Sequence, residues 1–264
     1  MGKILLVAIL LIMSMTSLPW AQTETALQPP AQPPVQPRNL IDCPTAGLLP
    51  RGSFDVDLRL FPEGGALGGI SVGLTDRLLL GVSYGGEKII SDEKAEWFPQ
   101  PGVSVKYRLV EENFALPALA VGFDSQGYGA YVENDSIARY EVKSKGFYWV
   151  ASKNYKVLGT SMGLHLGANY SLEDDDGDDE PSVFVGLDKS FNDEFEIILE
   201  YDFAFNDNEK LSSFGKGNGY LDAGFRWSFG HRLHIEFDFM NLAGNRENVE
   251  YLARQVRIVY LEYF

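Results

Sequence analysis

Glu194-Phe195-Glu196-Ile197-Ile198-Leu199-Glu200-Tyr201-Asp202-Phe203-Ala204 is the stretch whose reading decides the fold. Phe195, Ile197, Leu199, Tyr201 and Phe203 fall on one side of a period of two, and Glu196, Ile198, Glu200 and Asp202 on the other. Successive side chains of a β-strand point to opposite faces, so such a segment is greasy on one face and mostly charged on the other. The same division recurs outward in both directions. Phe54, Val56, Leu58 and Leu60 alternate with Asp55, Asp57 and Arg59, and Leu233, Ile235, Phe237 and Phe239 alternate with His234, Glu236 and Asp238. From Arg51 onward no helical spacing is sustained over a long window.

Twelve such segments are expected, at 52–61, 66–74, 77–85, 102–110, 116–124, 145–152, 158–170, 182–190, 194–204, 219–229, 231–240 and 253–264. Apart from the first, around Pro62 to Gly65, which is brief, their connections alternate in length. Thr75-Asp76-Arg77, Glu111-Glu112-Asn113, Asn192-Asp193 and Gly230 are short, whereas 86–101, 125–144, 171–181, 206–218 and 241–252 are long. Short turns on one rim and long loops on the other are the habit of an outer-membrane barrel. The rival is a secreted β-sandwich, since alternation alone does not say whether the apolar face meets lipid or a second sheet. Loop alternation favours lipid, as do aromatic residues near strand ends and an aromatic last strand, Tyr260-Leu261-Glu262-Tyr263-Phe264. Tyr260 and Phe264 fit the terminal signal that barrel-assembly machinery takes up. Glu262 shares their register, so either it lies near a rim or the lipid face is the Val259, Leu261 and Tyr263 set.

The expected fold is therefore all-β: a single transmembrane, antiparallel, up-and-down barrel over 51–264, integral to the outer membrane. Long loops are expected outside the cell and both termini in the periplasm, with lipid and lipopolysaccharide as surroundings. Ahead of the barrel, Lys3 and the apolar run from Ile4 to Met13 read as a secretory signal over 1–21. That run is shorter than the roughly 20 apolar residues a spanning helix needs. Residues 22–38, rich in Gln, Pro and Ala, read as a disordered periplasmic linker, and 39–50 as a pre-barrel segment. Cys43 is the single cysteine, so no internal disulfide staples the fold, and it is read as an unpaired thiol because Asp42 before it suits lipidation poorly. The formal charge of −15 falls by one more when Lys3 leaves with the signal, which excludes nucleic acid as a partner.

Asn39-Leu40-Ile41-Asp42-Cys43-Pro44-Thr45-Ala46-Gly47-Leu48-Leu49-Pro50-Arg51-Gly52 resembles the opening of the YjbH-like outer-membrane proteins. Leu116 to Gly122, Tyr148-Trp149-Val150-Ala151-Ser152-Lys153, Gly163 to Gly167 and Glu200-Tyr201-Asp202 follow in the same order as in that family's barrel. The likeness covers roughly residues 39–203, and this chain has room for one barrel where family members are usually much longer. The resemblance implies an association with exopolysaccharide export or surface-glycan handling, with polysaccharide or export components as partners. A small-solute, porin-like channel and a structural or adhesive surface barrel are the alternatives.

The register directs Asp55, Asp57, Arg59, Lys106, Arg108, Asp188, Glu196, Glu200, Asp202, Asp222, Arg226, Glu236, Asp238 and Arg257 toward the lumen. Two outcomes stay open for them: a salt-bridged plug, or a channel in which Arg59, Lys106, Arg108 and Arg226 form a basic ladder facing an acidic wall. Glu173, Asp174, Asp175, Asp176, Asp178, Asp179 and Glu180 form a weak cation-binding candidate, but contiguous acids between strands lack the alternate spacing of an EF-hand, and a solvated loop is expected. Neither a metal nor a cofactor is called for. Gly122 to Gly129 reads as a flexible, aromatic loop, with no helix to cradle phosphate. No enzyme is expected either. His231 falls in a tight turn, His165 and His234 point inward, and Asp238 lies about 13 Å along the strand from His234, too far to orient it. Ser161 lacks a nucleophile elbow.

Overall fold

The computed structural model describes residues 36–134, 137–208, 214–230, 232–246 and 253–264. The expected signal, the linker as far as residue 35 and His231 lie outside the described residues. Fifteen strands are described: β1 (Ser53–Phe61), β2 (Gly65–Gly73), β3 (Leu78–Glu87), β4 (Glu96–Trp97), β5 (Gly102–Val110), β6 (Ala118–Asp124), β7 (Tyr128–Asn134), β8 (Ile137–Val142), β9 (Gly146–Val157), β10 (Thr160–Tyr170), β11 (Ser182–Ser190), β12 (Phe195–Asp202), β13 (Tyr220–Phe229), β14 (Leu233–Met240) and β15 (Ala253–Tyr263). Twelve of them, all but β4, β7 and β8, pair antiparallel in chain order. The ring closes where β1 meets β15, with Ser53 opposite Tyr263 and Leu60 opposite Val256. Closure leaves no unpaired edge, which a lipid environment demands because nothing there can satisfy free N–H and C=O groups.

The apolar set of each strand faces outward. Val56, Leu58, Ile70, Val82, Val105, Trp149, Leu166, Ile197, Phe225, Phe237 and Tyr260 are all exposed, although they belong to the most regular part of the sheet. Among the described residues no second sheet covers them, so the sandwich falls, and a belt this continuous is soluble only in lipid. Aromatic side chains gather at its two margins. Phe195 stacks on Phe225 and Trp227 at 5.4 and 5.5 Å, and Phe54 on Phe264 at 5.8 Å, near the short turns. Tyr84 with Trp97, Phe123 with Phe147, and Tyr201 with Phe203 mark the long-loop rim. On the last strand Tyr260 and Phe264 point outward while Val259 and Leu261 are buried inside, and Glu262 meets Arg232 of the neighbouring turn at 2.9 Å, so Glu262 sits at the rim.

Three expectations need correction. The sixth strand runs to Val157 instead of ending at 152. Leu158 and Gly159, with φ of 53° and 84°, make a two-residue turn in the left-handed region, whose twist matches the flanking strands and carries the pairing to Val157 and Thr160. The loop after β3 contributes β4, whose Trp97 pairs with Gly86. The long connection 125–144 contains the β7–β8 hairpin, pinned by Tyr131 and Tyr140 packed edge to face at 4.9 Å, so Tyr128 and Gly129 of the stretch expected to be a flexible loop belong to a strand. Its glycines and polar residues mask short alternating runs.

Candidate functional site

The described chain reaches strand β1 only after passing through the barrel interior. Residues 40–49 are buried within the barrel, although Asp42 and Thr45 are polar. Residues 38–45 form a tight turn in which Leu40 N–H donates to the Cys43 carbonyl at 2.9 Å and Thr45 N–H to the Arg38 carbonyl at 3.0 Å. Three successive amides at its tip, those of Ile41, Asp42 and Cys43, all donate to the Glu200 carboxylate at 2.9 to 3.0 Å. Consecutive N–H groups in such a turn form a nest for an anion, and here the anion is a wall side chain.

The opposite wall supplies cations to the carbonyls. Lys106 Nζ donates to the Arg38 and Thr45 carbonyls at 2.6 and 3.0 Å, and Arg108 grips the Ala46 carbonyl through Nε and a terminal nitrogen at 3.0 and 2.8 Å. Arg59 donates to the Ile41 carbonyl at 2.9 Å and pairs with Asp42. Arg108 also reaches the Gln36 amide oxygen at 2.6 Å, so the last residues of the expected linker belong to this assembly. Apolar fit completes it. Leu40, Ile41 and Ile198 pack together. Gly186 leaves the socket for Leu40, since a Cβ there would stand 2.0 Å from Leu40 Cδ1. Cys43 is fully buried against Ala118, Ala120, Tyr148, Val150 and Phe184.

The lumen-directed charges can now be placed, Asp202 among them, buried and paired with Lys145 and accepting from Ser182 at 3.0 Å. Asp55, Arg59, Lys106, Arg108, Glu200, Asp222, Arg226, Glu236 and Asp238 are buried, and Asp57 and Glu196 half-buried. Arg59, Lys106, Arg108 and Glu200 hold the segment. Asp55 pairs with its Arg38. Arg226 bridges Glu236 and Glu196 at 2.6 Å each, and Arg257 takes Asp57 in a two-point grip. Asp238 accepts from Gln255 at 2.9 Å, and Asp222 from the Asn241 amide at 2.6 Å. The basic ladder is therefore divided in emphasis. Lys106 and Arg108 serve segment carbonyls, Arg108 also meeting Glu111 at 3.0 Å. Arg226 serves two carboxylates at 2.6 Å and reaches the Asn39 and Leu40 carbonyls only at 3.4 Å.

Two of the cavities that flank the segment bear on the lumen's ends. One of about 360 Å³ opens toward the short-turn rim, lined by Arg38, Asp55, Glu196, Arg226, His234 and Arg257. The other, about 80 Å³, lies between Arg38 and Asn39 on one side and Gln126 and Tyr128 on the other. Beyond it the β7–β8 hairpin packs at the long-loop end, where Arg59 lies 4.2 Å over the Tyr128 ring and Tyr140 meets Phe98 edge to face. Arg139 fastens this lid: fully buried, it pairs with Asp176 and with Asp207 at 2.8 Å, and Lys143 joins Asp176 at 2.8 Å. The acidic loop is thus engaged by lid cations at Asp176, while Glu173 accepts from the Tyr140 and Ser144 amides. Burial pushes Glu173 up to about 7.

Sequence reasoning missed Ser152. Its Oγ lies 2.8 Å from His165 Nδ1, His165 Nε2 lies 2.9 Å from Asp188, and Ala46 N–H donates to the same Oγ at 2.8 Å. The chain of three side chains ends on the plug, and the adjoining void of about 30 Å³ holds no more than a water molecule. His234 partners Ser228 at 2.7 Å instead of Asp238. Among the described residues, Asp42, Glu200 and Asp222 come close enough to share a cation, with ligand oxygens within 4.8 Å. Glu200 is already taken by three amides and Asp42 by Arg59, so the cluster is already bound by the protein.

A comparison with protein-family models gives no match, and neither does a comparison with curated proteins. Among solved structures the chain is similar to the KdgM porin at 12% identity, with a TM-score of 0.48, over 80% of this chain and 99% of that one. It is also similar to the COG4313 outer membrane channel from Pseudomonas putida F1, at 14% identity and TM-score 0.43 over 81% and 97%. A third is the Acinetobacter baumannii outer membrane protein Omp33, at 10% identity and TM-score 0.43 over 80% and 98%. None of the three is described as YjbH-like or tied to exopolysaccharide.

Proposed function

We propose that the protein is an outer-membrane channel of porin-like architecture, closed in this state by its own residues 36–50. The observation that carries this is the partnering of Lys106, Arg108 and Glu200: these wall charges are spent on the main chain of an inserted segment instead of on one another. A lumen built only as a scaffold needs no such arrangement, because opposed charges or apolar side chains from the walls would fill it directly. Removing the segment leaves a bore lined by charges of both signs, suited to small polar solutes. Long loops face outward from the cell in this reading, and Tyr260 and Phe264 meet the assembly machinery. No catalytic step belongs to it, and an exopolysaccharide role rests on the resemblance alone.

Planar-bilayer recording tests the proposal. The full mature chain is expected to be mostly silent, and the chain carrying Lys106→Met with Glu200→Gln to give discrete steps with open probability up at least about tenfold, the ratio that ~1.4 kcal/mol produces. Silence of both, with folding shown by gel mobility, would leave a sealed scaffold. Unchanged secreted polymer on deletion of the gene would remove the polysaccharide role.

A further inference from the structure

The lumen wall reads main chain far more than side chains, and main chain is common to every peptide. Glu200 takes three amides, Lys106 two carbonyls within 3.0 Å, Arg108 a carbonyl twice, Arg59 a carbonyl and Ser152 an amide. Contacts that depend on the identity of the inserted residues are fewer: Asp42 with Arg59, Arg38 with Asp55 and Ser71, and Gln36 with Arg108. The socket at Gly186 selects shape, since the Leu40 methyl itself fills the space a Cβ would need, and Ile41 Cδ1 packs over Gly224, 3.2 Å from where a Cβ would stand.

Glu200, Lys106 and Arg108 are 2%, 4% and 8% exposed, and each loses the segment's main-chain partners when the segment leaves, Arg108 keeping only its pair with Glu111 at 3.0 Å. Buried charges left in that condition demand replacements. An anionic solute would satisfy Lys106 and Arg108 but would be repelled by Glu200 and Asp222; a cation would fail at the other wall. An occupant offering carbonyl acceptors to one wall and consecutive N–H donors to the other satisfies both, and a peptide turn does so. From this complementarity we infer that the lumen is a binding site for short, turn-forming peptides, which compete with the chain's own segment. The inference rests on the channel reading in one respect, that the segment can leave.

Cys43 reports that departure, because it is fully buried in the segment and is the only thiol of the chain. The experiment follows maleimide labelling of Cys43 in the full mature chain, reconstituted in liposomes. Three probes are compared at equal concentration: a synthetic peptide copying residues 38–47 with serine for the cysteine, the same peptide N-methylated at the amides equivalent to Asp42 and Cys43, and an acidic oligosaccharide of similar size. The copy should raise the labelling rate about fivefold or more, and the methylated form less than about twofold, since it keeps every side chain and loses two donors to Glu200. In Glu200→Gln that gap between the two peptides should shrink. Equal action of both peptides, no action of either, or acceleration by the oligosaccharide alone would overturn the inference. Labelling needs no current, so the two ideas fail separately. Peptide-accelerated labelling in a barrel that never conducts keeps the peptide site and sinks the channel, and conductance without any peptide effect does the reverse.

Discussion

The segment 36–50 fills the lumen and the β7–β8 hairpin packs at its long-loop end, from different stretches of sequence and by different physics. The segment is held by side chains of the wall acting on its backbone, as Glu200 does on three amides. The hairpin is held by its own side chains acting on neighbouring loops, Arg139 on Asp176 and Asp207 above all. A backbone grip is spread over many bonds and tolerates exchange of the gripped residues. A grip through one buried guanidinium concentrates in a single residue and depends on charge. The segment should therefore yield gradually to wall substitutions, and the lid abruptly to one.

The largest effect is expected at the lid. Arg139→Met leaves Asp207 buried without its cation and Asp176 held by Lys143 alone, a loss of about 3 to 5 kcal/mol locally, and limited proteolysis within 125–145 should rise at least a hundredfold while the barrel's gel mobility stays folded. Unchanged cleavage would mean that the aromatic cluster around Tyr140 holds the lid by itself. Next comes the wall: Lys106→Met removes one of several donors and should speed Cys43 labelling by roughly one order of magnitude, a cost of about 1 to 2 kcal/mol with the remaining bonds in place. An effect as large as that at Arg139 would erase the contrast between the two grips.

A smaller change tests fit. Gly186→Ala places a methyl against Leu40 and should cost about 1 to 3 kcal/mol by overpacking. Adding Leu40→Ala should restore most of it, read as a double-mutant cycle on Cys43 labelling, and additive losses would deny the contact. The smallest effect is on pH. Burial raises Glu173 from its ordinary 4.5 to about 7, so the folded lid binds this proton more tightly than the unfolded chain. The stability it lends is complete below about 4.5 and is lost as pH rises through about 7. Lid proteolysis, corrected for protease activity, should increase across that interval and do so less in Glu173→Gln. A flat profile in the unaltered chain would count against the assignment.

The barrel was unusually legible for one reason. Along 194–204 and in eleven other segments lipid and lumen demand opposite chemistry at every second residue, and that demand is written in composition as well as order. Where the demand relaxes, legibility fades. Lys153 to Lys156 extend β9 because its partner β10 continues beside it, and nothing in their own polarity says so. Tyr131 and Tyr140 belong to runs too short and glycine-broken to stand out. Ser152 looked like any small residue of a strand until β10 and β11 brought His165 and Asp188 beside it.

The sequence by itself determined a strand period, the side on which each charge lies, the turn rim and the loop rim, because these follow from local alternation and chain connectivity. Only the tertiary structure decided what the inward charges hold. A carboxylate that grips three backbone amides across the lumen leaves no mark at the positions gripped, since Ile41, Asp42 and Cys43 contribute to it only the N–H that nearly every residue has.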